Sequence, residues 1–279
     1  MKKNNGTGAG ETPPTGGGGT PLISDETLLE LYANLLRSEA IATRGSKRSA
    51  ATRFAAAAVG IAMDLIEGDT VATGADAPMT TAVSPATASP ALINTLRLNG
   101  ASVSPAESAE QLKLALGAAL LHKTSASKNL AVVLRHSAGE EEWESALEAA
   151  RAHGLPLILV TCAVEPGSRL RKSVKVAKSD KKRSEAGLEL PLITVDSNDV
   201  VAVYRVAHEA FGRARRGRGG TLIECVDYKA GRKGGAAANA IANMERYLRG
   251  RGLLRRGLRA EISRNFEREL RAAPKHARR

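Results

Sequence analysis

Aromatic residues are scarce: one Trp, four Tyr and three Phe make up 3% of the 279 residues. Proteins that grip single-stranded nucleic acid stack bases on aromatic rings, so the composition speaks against that class despite a formal net charge of +12. Cysteine is limited to Cys162 and Cys225, each inside an apolar, strand-like run. Two such residues make no disulfide framework, and buried, reduced thiols are a simpler reading than a disulfide or a metal site. No apolar run reaches the roughly 18 residues of a spanning helix, so no membrane partner is expected. The opening MKKNNGTGAGETPPTGGGGTP has two lysines but no apolar core. It does not read as a secretory signal, and a cytoplasmic location is the expectation. Its Gly, Pro and Thr content reads as a disordered tail over residues 1–24.

Acidic residues are also short where basic ones crowd. Arg205 to Arg279 holds 20 Lys plus Arg against 7 Asp plus Glu, more than the whole net charge. An acidic-partner or nucleic-acid surface competes with arginine-rich, solvated helix faces. The missing aromatics favour the second, and nucleic acid is not expected as a partner.

What is present is a strand–helix alternation. LELPLITVDSNDVVAVYRVAHEAFGRARRGRGGTLIECVDYKAG, residues 188–231, opens with a short apolar run bounded by Pro191 and Asp196. Asp196, Ser197 and Asn198 supply turn and N-cap chemistry. Val200, Val203, Tyr204, Ala207, Ala210 and Phe211 recur at helical spacing, the Gly217–Gly220 run stops the helix, and TLIECVDY returns as a strand. Gly217-Arg-Gly-Gly220 lacks Walker spacing, so it reads as a helix stop and not a phosphate loop. This is a βαβ unit, which builds parallel sheets covered on both faces.

The pattern repeats upstream: a helix over 107–122, a strand over 129–135, a helix rich in acids to Gly154, and the strand LPLILVTC. Glu140, Glu141 and Glu142 sit in that helix's first turn, where they suit the helix dipole better than a metal. Two helices precede this region: one opened by Ser24 with Leu28, Leu31, Tyr32, Leu35 and Leu36 as its apolar stripe, the other spanning 50–66. Residues 70–107 read as irregular with one short helix near 90–99, and 167–187 as a charged loop. Residues 240–279 read as a helical extension. Residues 25–279 are expected to be one α/β domain, a parallel sheet flanked by helices with extra terminal helices.

Four segments carry a family resemblance: ETLLELYANLLRSEAIATR, EQLKLALGAALLHK, EEWESALEAARAHGLPLILVTC, and VDSNDVVAVYRVAHEAFGRARRGRGGTLIECVDYKAG followed by ERYLRGRGLL. Together they resemble the alpha subunit of the thiamine-diphosphate-dependent 2-oxo acid dehydrogenases, the decarboxylating component of pyruvate, branched-chain and acetoin dehydrogenases. The fourth is the most specific, with Val195-Asp196, then Asn198-Asp199-Val200, then Thr221-Leu222-Ile223-Glu224 in register. The resemblance implies the thiamine-diphosphate-binding fold and an oligomer with dehydrogenase alpha or beta subunits. It does not select one 2-oxo acid.

The family's chemistry does not carry over. Its magnesium motif opens on Gly-Asp-Gly and ends on an Asn pair, whose oxygens hold the metal and through it the diphosphate. Counted back from Ala146-Leu147, those positions are Leu134, Arg135 and His136, and the Asn pair falls on Ala163 and Val164. The Tyr-Arg pair on the diphosphate aligns with Ala75 and Asp76, and the family histidine with Lys233. A guanidinium replaces a carboxylate ligand, and hydrocarbon replaces an amide. The first reading is therefore a non-catalytic subunit with a structural or regulatory role, which needs neither thiamine diphosphate nor magnesium. A second is an active oxidoreductase with a rebuilt site, in which Arg135 and Lys233 grip the diphosphate directly and Glu140 is a leftover acid. A third is an anion-binding module without chemistry, lined by Arg135, His136 and Lys233. His122, His153, His208 and His276 are assigned no role.

Overall fold

A computed structural model describes residues 23–44, 55–73, 102–105, 108–135, 140–163, 190–228 and 239–272. Apolar and β-branched runs form six strands: β1 (Thr70–Thr73), β2 (Ser102–Pro105), β3 (Ala131–Arg135), β4 (Leu157–Ala163), β5 (Leu192–Asp196) and β6 (Thr221–Val226). They build one sheet in the order β2-β1-β3-β4-β6-β5, and every pairing is parallel. The expected fold class stands. Helices α1 (Asp25–Arg44), α2 (Ala55–Ala62), α5 (Val200–Arg215), α6 (Ala240–Gly250) and α7 (Leu258–Ala272) contribute to the core cluster on one face. Helices α3 (Ser108–Thr124) and α4 (Glu140–Ala152) cover the other.

A parallel sheet covered on both sides needs strands apolar at every position. All of β6 is buried; Leu222, Ile223, Cys225 and Val226 meet that demand, and Thr221 and Glu224 are its polar exceptions. Val71, Val132, Leu134, Ile158, Val160 and Ile223 pack toward α1, α2 and α5. Ala72, Ala131, Val133, Leu159 and Leu222 pack toward Trp143 and Ala146 of α4 and Leu112 and Ala115 of α3. Cys162 and Cys225 are register partners on β4 and β6, buried and unlinked.

The βαβ unit read from residues 188–231 is β5–α5–β6, with β5 and β6 adjacent. Asp199 caps α5, its Oδ1 accepting from the Val201 and Ala202 amides at 3.1 and 3.0 Å. Val200, Val203, Ala207, Ala210 and Phe211 are buried along it. Gly217, at φ +71°, closes the helix by donating its amide to Ala214 O at 2.9 Å. At Gly220 a Cβ would lie 2.1 Å from Leu157 O, so only glycine lets β6 enter against β4. At the start of α1, Ser24 Oγ accepts from Thr27 N at 3.1 Å, and Ile23 is already buried.

Three sequence expectations need correction. Residues 70–73 and 102–105 are strands, not irregular chain. Thr70–Thr73 has one large apolar residue and is too short to show a period, and its strand conformation is fixed by β2 on one side and β3 on the other. The helix expected over 50–66 ends at Ala62. There Leu65 N turns back to Ala62 O at 3.3 Å, and the Asp69 carboxylate takes Ile66 N at 2.9 Å, which directs the chain into β1. The strand expected from residue 129 starts at Ala131, because the Asn129 side chain donates to Glu67 O at 2.7 Å. The short helix near 90–99, the charged loop at 167–187 and nearly all of the tail lie outside the described residues.

Candidate functional site

Parallel α/β sheets bind ligands beyond the carboxyl ends of their strands. Here β1, β3, β4 and β6 are consecutive neighbours, so Thr73, Arg135, Ala163 and Val226 end strands side by side. Arg135 is in register with Thr161, and Ala163 with Val226. The candidates follow these ends in the chain: Ala75 and Asp76 after β1, His136 after β3, Val164 after β4 and Lys233 after β6. Those five residues lie outside the described residues, as do the side chains of Arg135, Glu140 and Ala163. Glu140 begins α4, which puts the three consecutive glutamates in its first turn.

The described carboxylates at this edge hold the fold. Asp196 Oδ1 accepts from Asn198 N at 2.9 Å, and Asp227 Oδ1 from Asn198 Nδ2 at 3.1 Å. Asp199 is the cap of α5. Asn243 Nδ2 donates to Asn198 O at 3.2 Å, tying α6 to the same turn. Glu224, 1% exposed, accepts from Thr194 Oγ1 at 3.1 Å.

Sequence reasoning missed a polar row across the sheet. Arg135, Thr161, Glu224 and Thr194 occupy matched register positions on β3, β4, β6 and β5. Glu224 was read in the strand and in the family match but given no role of its own, and its burial follows from the covered sheet. The Thr73, Thr161 and Ser197 hydroxyls are buried with no hydrogen-bond partner among the described residues. Such orphans each cost about 1–3 kcal/mol.

Magnesium asks for several hard oxygen ligands around one point. The strand-end positions hold Arg135 and Ala163, and the described carboxylates nearby are turned to amides and hydroxyls of the fold. Among the described residues no three His, Cys, Asp or Glu side chains gather as a metal set. The described residues thus offer no fit to a magnesium–diphosphate group, while positions 75, 76, 136, 164 and 233 lie outside them.

Other polar features sit elsewhere. Asp69, fully buried, meets Arg215 in a two-pronged ion pair at 2.8 and 3.1 Å, and also accepts from Leu130 N at 3.0 Å. Burial holds His122 below its ordinary pKa of 6.5, with Asp69 pulling the other way. The hydrogen bond to Cys225, and then burial, push the Cys162 thiol well up. A shallow cleft of about 460 Å³ lies between the ends of α3 and α4, lined by Leu120, Lys123, Arg151 and His153. Lys123 donates to the carbonyls of His153 and Gly154, so its charge serves the loop that enters β4. No helix of the described residues is long and apolar enough to cross a membrane.

Residues 99–233 match the family model of the dehydrogenase E1 component. That span holds positions 135, 136, 163, 164 and 233, whereas 75 and 76 precede it. Similar curated proteins include the alpha subunit of the acetoin:2,6-dichlorophenolindophenol oxidoreductase of Bacillus subtilis, 32% identical over 118 residues, 42% of this chain and 35% of that relative. The alpha subunit of 2-oxoisovalerate dehydrogenase from the same organism is 31% identical over 93 residues, 33% of this chain and 28% of the relative. The alpha subunit of 3-methyl-2-oxobutanoate dehydrogenase of Mycobacterium tuberculosis is 56% identical over 45 residues, 16% of this chain and 12% of the relative. The matched part therefore spans 35% or less of each of these relatives' length.

Proposed function

The chain is a relative of the alpha subunits of 2-oxo acid dehydrogenases, and from that premise we propose that it serves as a non-catalytic, alpha-like subunit with a structural or regulatory role. One observation carries the reading. The ends of β3 and β4, where the family resemblance puts a carboxylate and an amide, hold Arg135 and Ala163. Arginine keeps its proton in proteins and offers no lone pair to a cation. A methyl group offers none either. The sheet itself, with its covered faces, persists independently of those ligands, so the frame can still meet a beta subunit, a true alpha subunit or a second copy.

Thermal unfolding of the whole chain with thiamine diphosphate and magnesium tests this. A ligand at about 100 times its Kd adds roughly 2.7 kcal/mol to the folded state, a shift of several degrees. The reading predicts no shift. A magnesium-dependent shift supports a working thiamine-diphosphate enzyme on a 2-oxo acid instead. A shift with pyrophosphate alone, independent of metal and lost in Arg135→Ala, supports an anion module built on Arg135, His136 and Lys233.

A further inference from the structure

The amino-terminal edge of the sheet carries cations with no carboxylate among them. β3, β4 and β6 are parallel neighbours, so the segments that lead into them lie side by side, at the opposite end of the strands from Arg135. Those segments, residues 121–130, 151–157 and 213–221, contain seven Lys or Arg and no Asp or Glu. Two contacts join them. Lys123 of the first donates to the carbonyls of His153 and Gly154 in the second. Arg215 of the third donates to Lys128 O of the first at 3.2 Å.

Four of the seven cations are explained within the fold. Lys123, Arg151, Arg213 and Arg215 lie in the last turns of α3, α4 and α5, where positive charge complements the helix dipole. Arg215 also takes Asp69, which comes from the segment before β1. Lys128, Arg216 and Arg218 differ. They follow the helix ends, all three are exposed, and none has an ion pair among the described residues. The turn between Arg216 and Arg218 is open, since a Cβ at Gly217 would meet nothing within 4 Å. On the α3–α4 side the same edge opens into the cleft of about 460 Å³.

We infer that this edge binds an anion built as a chain of phosphate groups, either a free oligophosphate or the phosphate tail of a nucleotide. β3 and β6 are two strand spacings apart, roughly 10 Å. That is too far for one phosphate to meet cations on both segments, and within reach of several linked ones. The guanidinium fork and the lysine ammonium are both established partners of phosphate. None of the three segments contains an aromatic residue, so the edge offers no platform for a base and recognition rests on the phosphates. The site shares no residue with the strand ends at Arg135 and Ala163, so it stands apart from the subunit reading above.

The test titrates the full-length chain calorimetrically with sodium tripolyphosphate, without metal, in about 50 mM salt. The expected result is saturable binding with a Kd below about 100 µM, weakened at least tenfold in about 300 mM salt. ATP binds within a few-fold of tripolyphosphate. Lys128→Ser combined with Arg216→Ser and Arg218→Ser weakens binding at least tenfold. Arg218→Ser alone weakens it at least threefold, a second reading should the triple variant fail to fold. An equal loss of charge from α6 and the turn after it, through Arg246→Ser, Arg249→Ser and Arg256→Ser, leaves binding unchanged, as does Arg135→Ala. The inference is overturned by the absence of saturable heat up to about 1 mM, which would mark the edge as merely solvated. It is equally overturned by a matching loss in the Arg246, Arg249 and Arg256 variant, or by ATP or a single-stranded oligonucleotide binding more than tenfold tighter than tripolyphosphate. Binding lost in Arg135→Ala and kept in the triple variant would place the anion at the strand ends instead. That outcome overturns this inference and supports the anion module, so the two sites are told apart.

Discussion

Asp69 is fully buried and shares its charge with Arg215, whose guanidinium also donates to the carbonyls of Lys128 and Asp64 at 3.2 and 3.0 Å. Removing one member leaves the other buried without compensation, and that loss exceeds what the intact pair contributes. Arg215→Ala should therefore cost about 3–5 kcal/mol in urea unfolding, far more than removal of a surface pair such as Arg271–Glu267 at 3.9 Å. His122 gives the pH dependence a sign. Its folded pKa lies below the ordinary 6.5, so the unfolded chain takes the proton first as pH falls. Its contribution is intact above about 6.5 and declines below it. His122→Gln should flatten the fall in urea midpoint between pH 7 and 5, and an unchanged slope would remove this histidine from the account. Arg135 belongs to the same scale: on the proposed reading, one guanidinium stands where the resemblance puts a carboxylate, which would turn a cation site into its opposite.

Among the elements, those with a full apolar period were legible. Leu28, Leu31, Tyr32, Leu35 and Leu36 are all buried on α1 as their spacing requires, and Asp199 caps the helix that its neighbours announce. What escaped was structure made by pairing and not by pattern. Thr70–Thr73 becomes a strand on the edge of β3, and Ser102–Pro105 on the edge that β1 then offers. The polar row at Thr161, Glu224 and Thr194 was hidden because sequence shows an apolar run and not which residue of a neighbouring strand lies opposite. Positions 135 and 163 end the adjacent strands β3 and β4; their candidacy, like that of positions 75 and 233 outside the described residues, follows from the family resemblance alone, and composition offered no route to them. Gly220 was read only as part of a helix stop, yet its place against Leu157 O decides how β6 enters. Gly220→Ala should lower stability by at least about 2 kcal/mol, measured by denaturant unfolding. A neutral result would mean β4 and β6 can separate at that end.

At the scale of the whole molecule, charge is divided by the sheet. Helix α4 carries five glutamates against one arginine, while α6 and α7 carry arginines at Arg246, Arg249, Arg259, Arg264, Arg268 and Arg271. Several of these are spent on internal pairs, among them Arg259 with Glu39 and Glu245 at 3.3 and 3.2 Å, where Glu245 also accepts from Tyr32 at 2.8 Å. That network binds α1, α6 and α7 into one layer, so the basic C-terminal region is part of the domain's packing. On the reading proposed above, the frame of an alpha-like subunit is kept while the positions that the resemblance assigns to the cation hold Arg135 and Ala163. Calorimetric titration of the full-length chain with thiamine diphosphate in excess magnesium tests this most directly. The account predicts no saturable heat up to about 1 mM ligand, the concentration corresponding to roughly −4 kcal/mol of binding. Saturable, magnesium-dependent binding tighter than about 100 µM would contradict it.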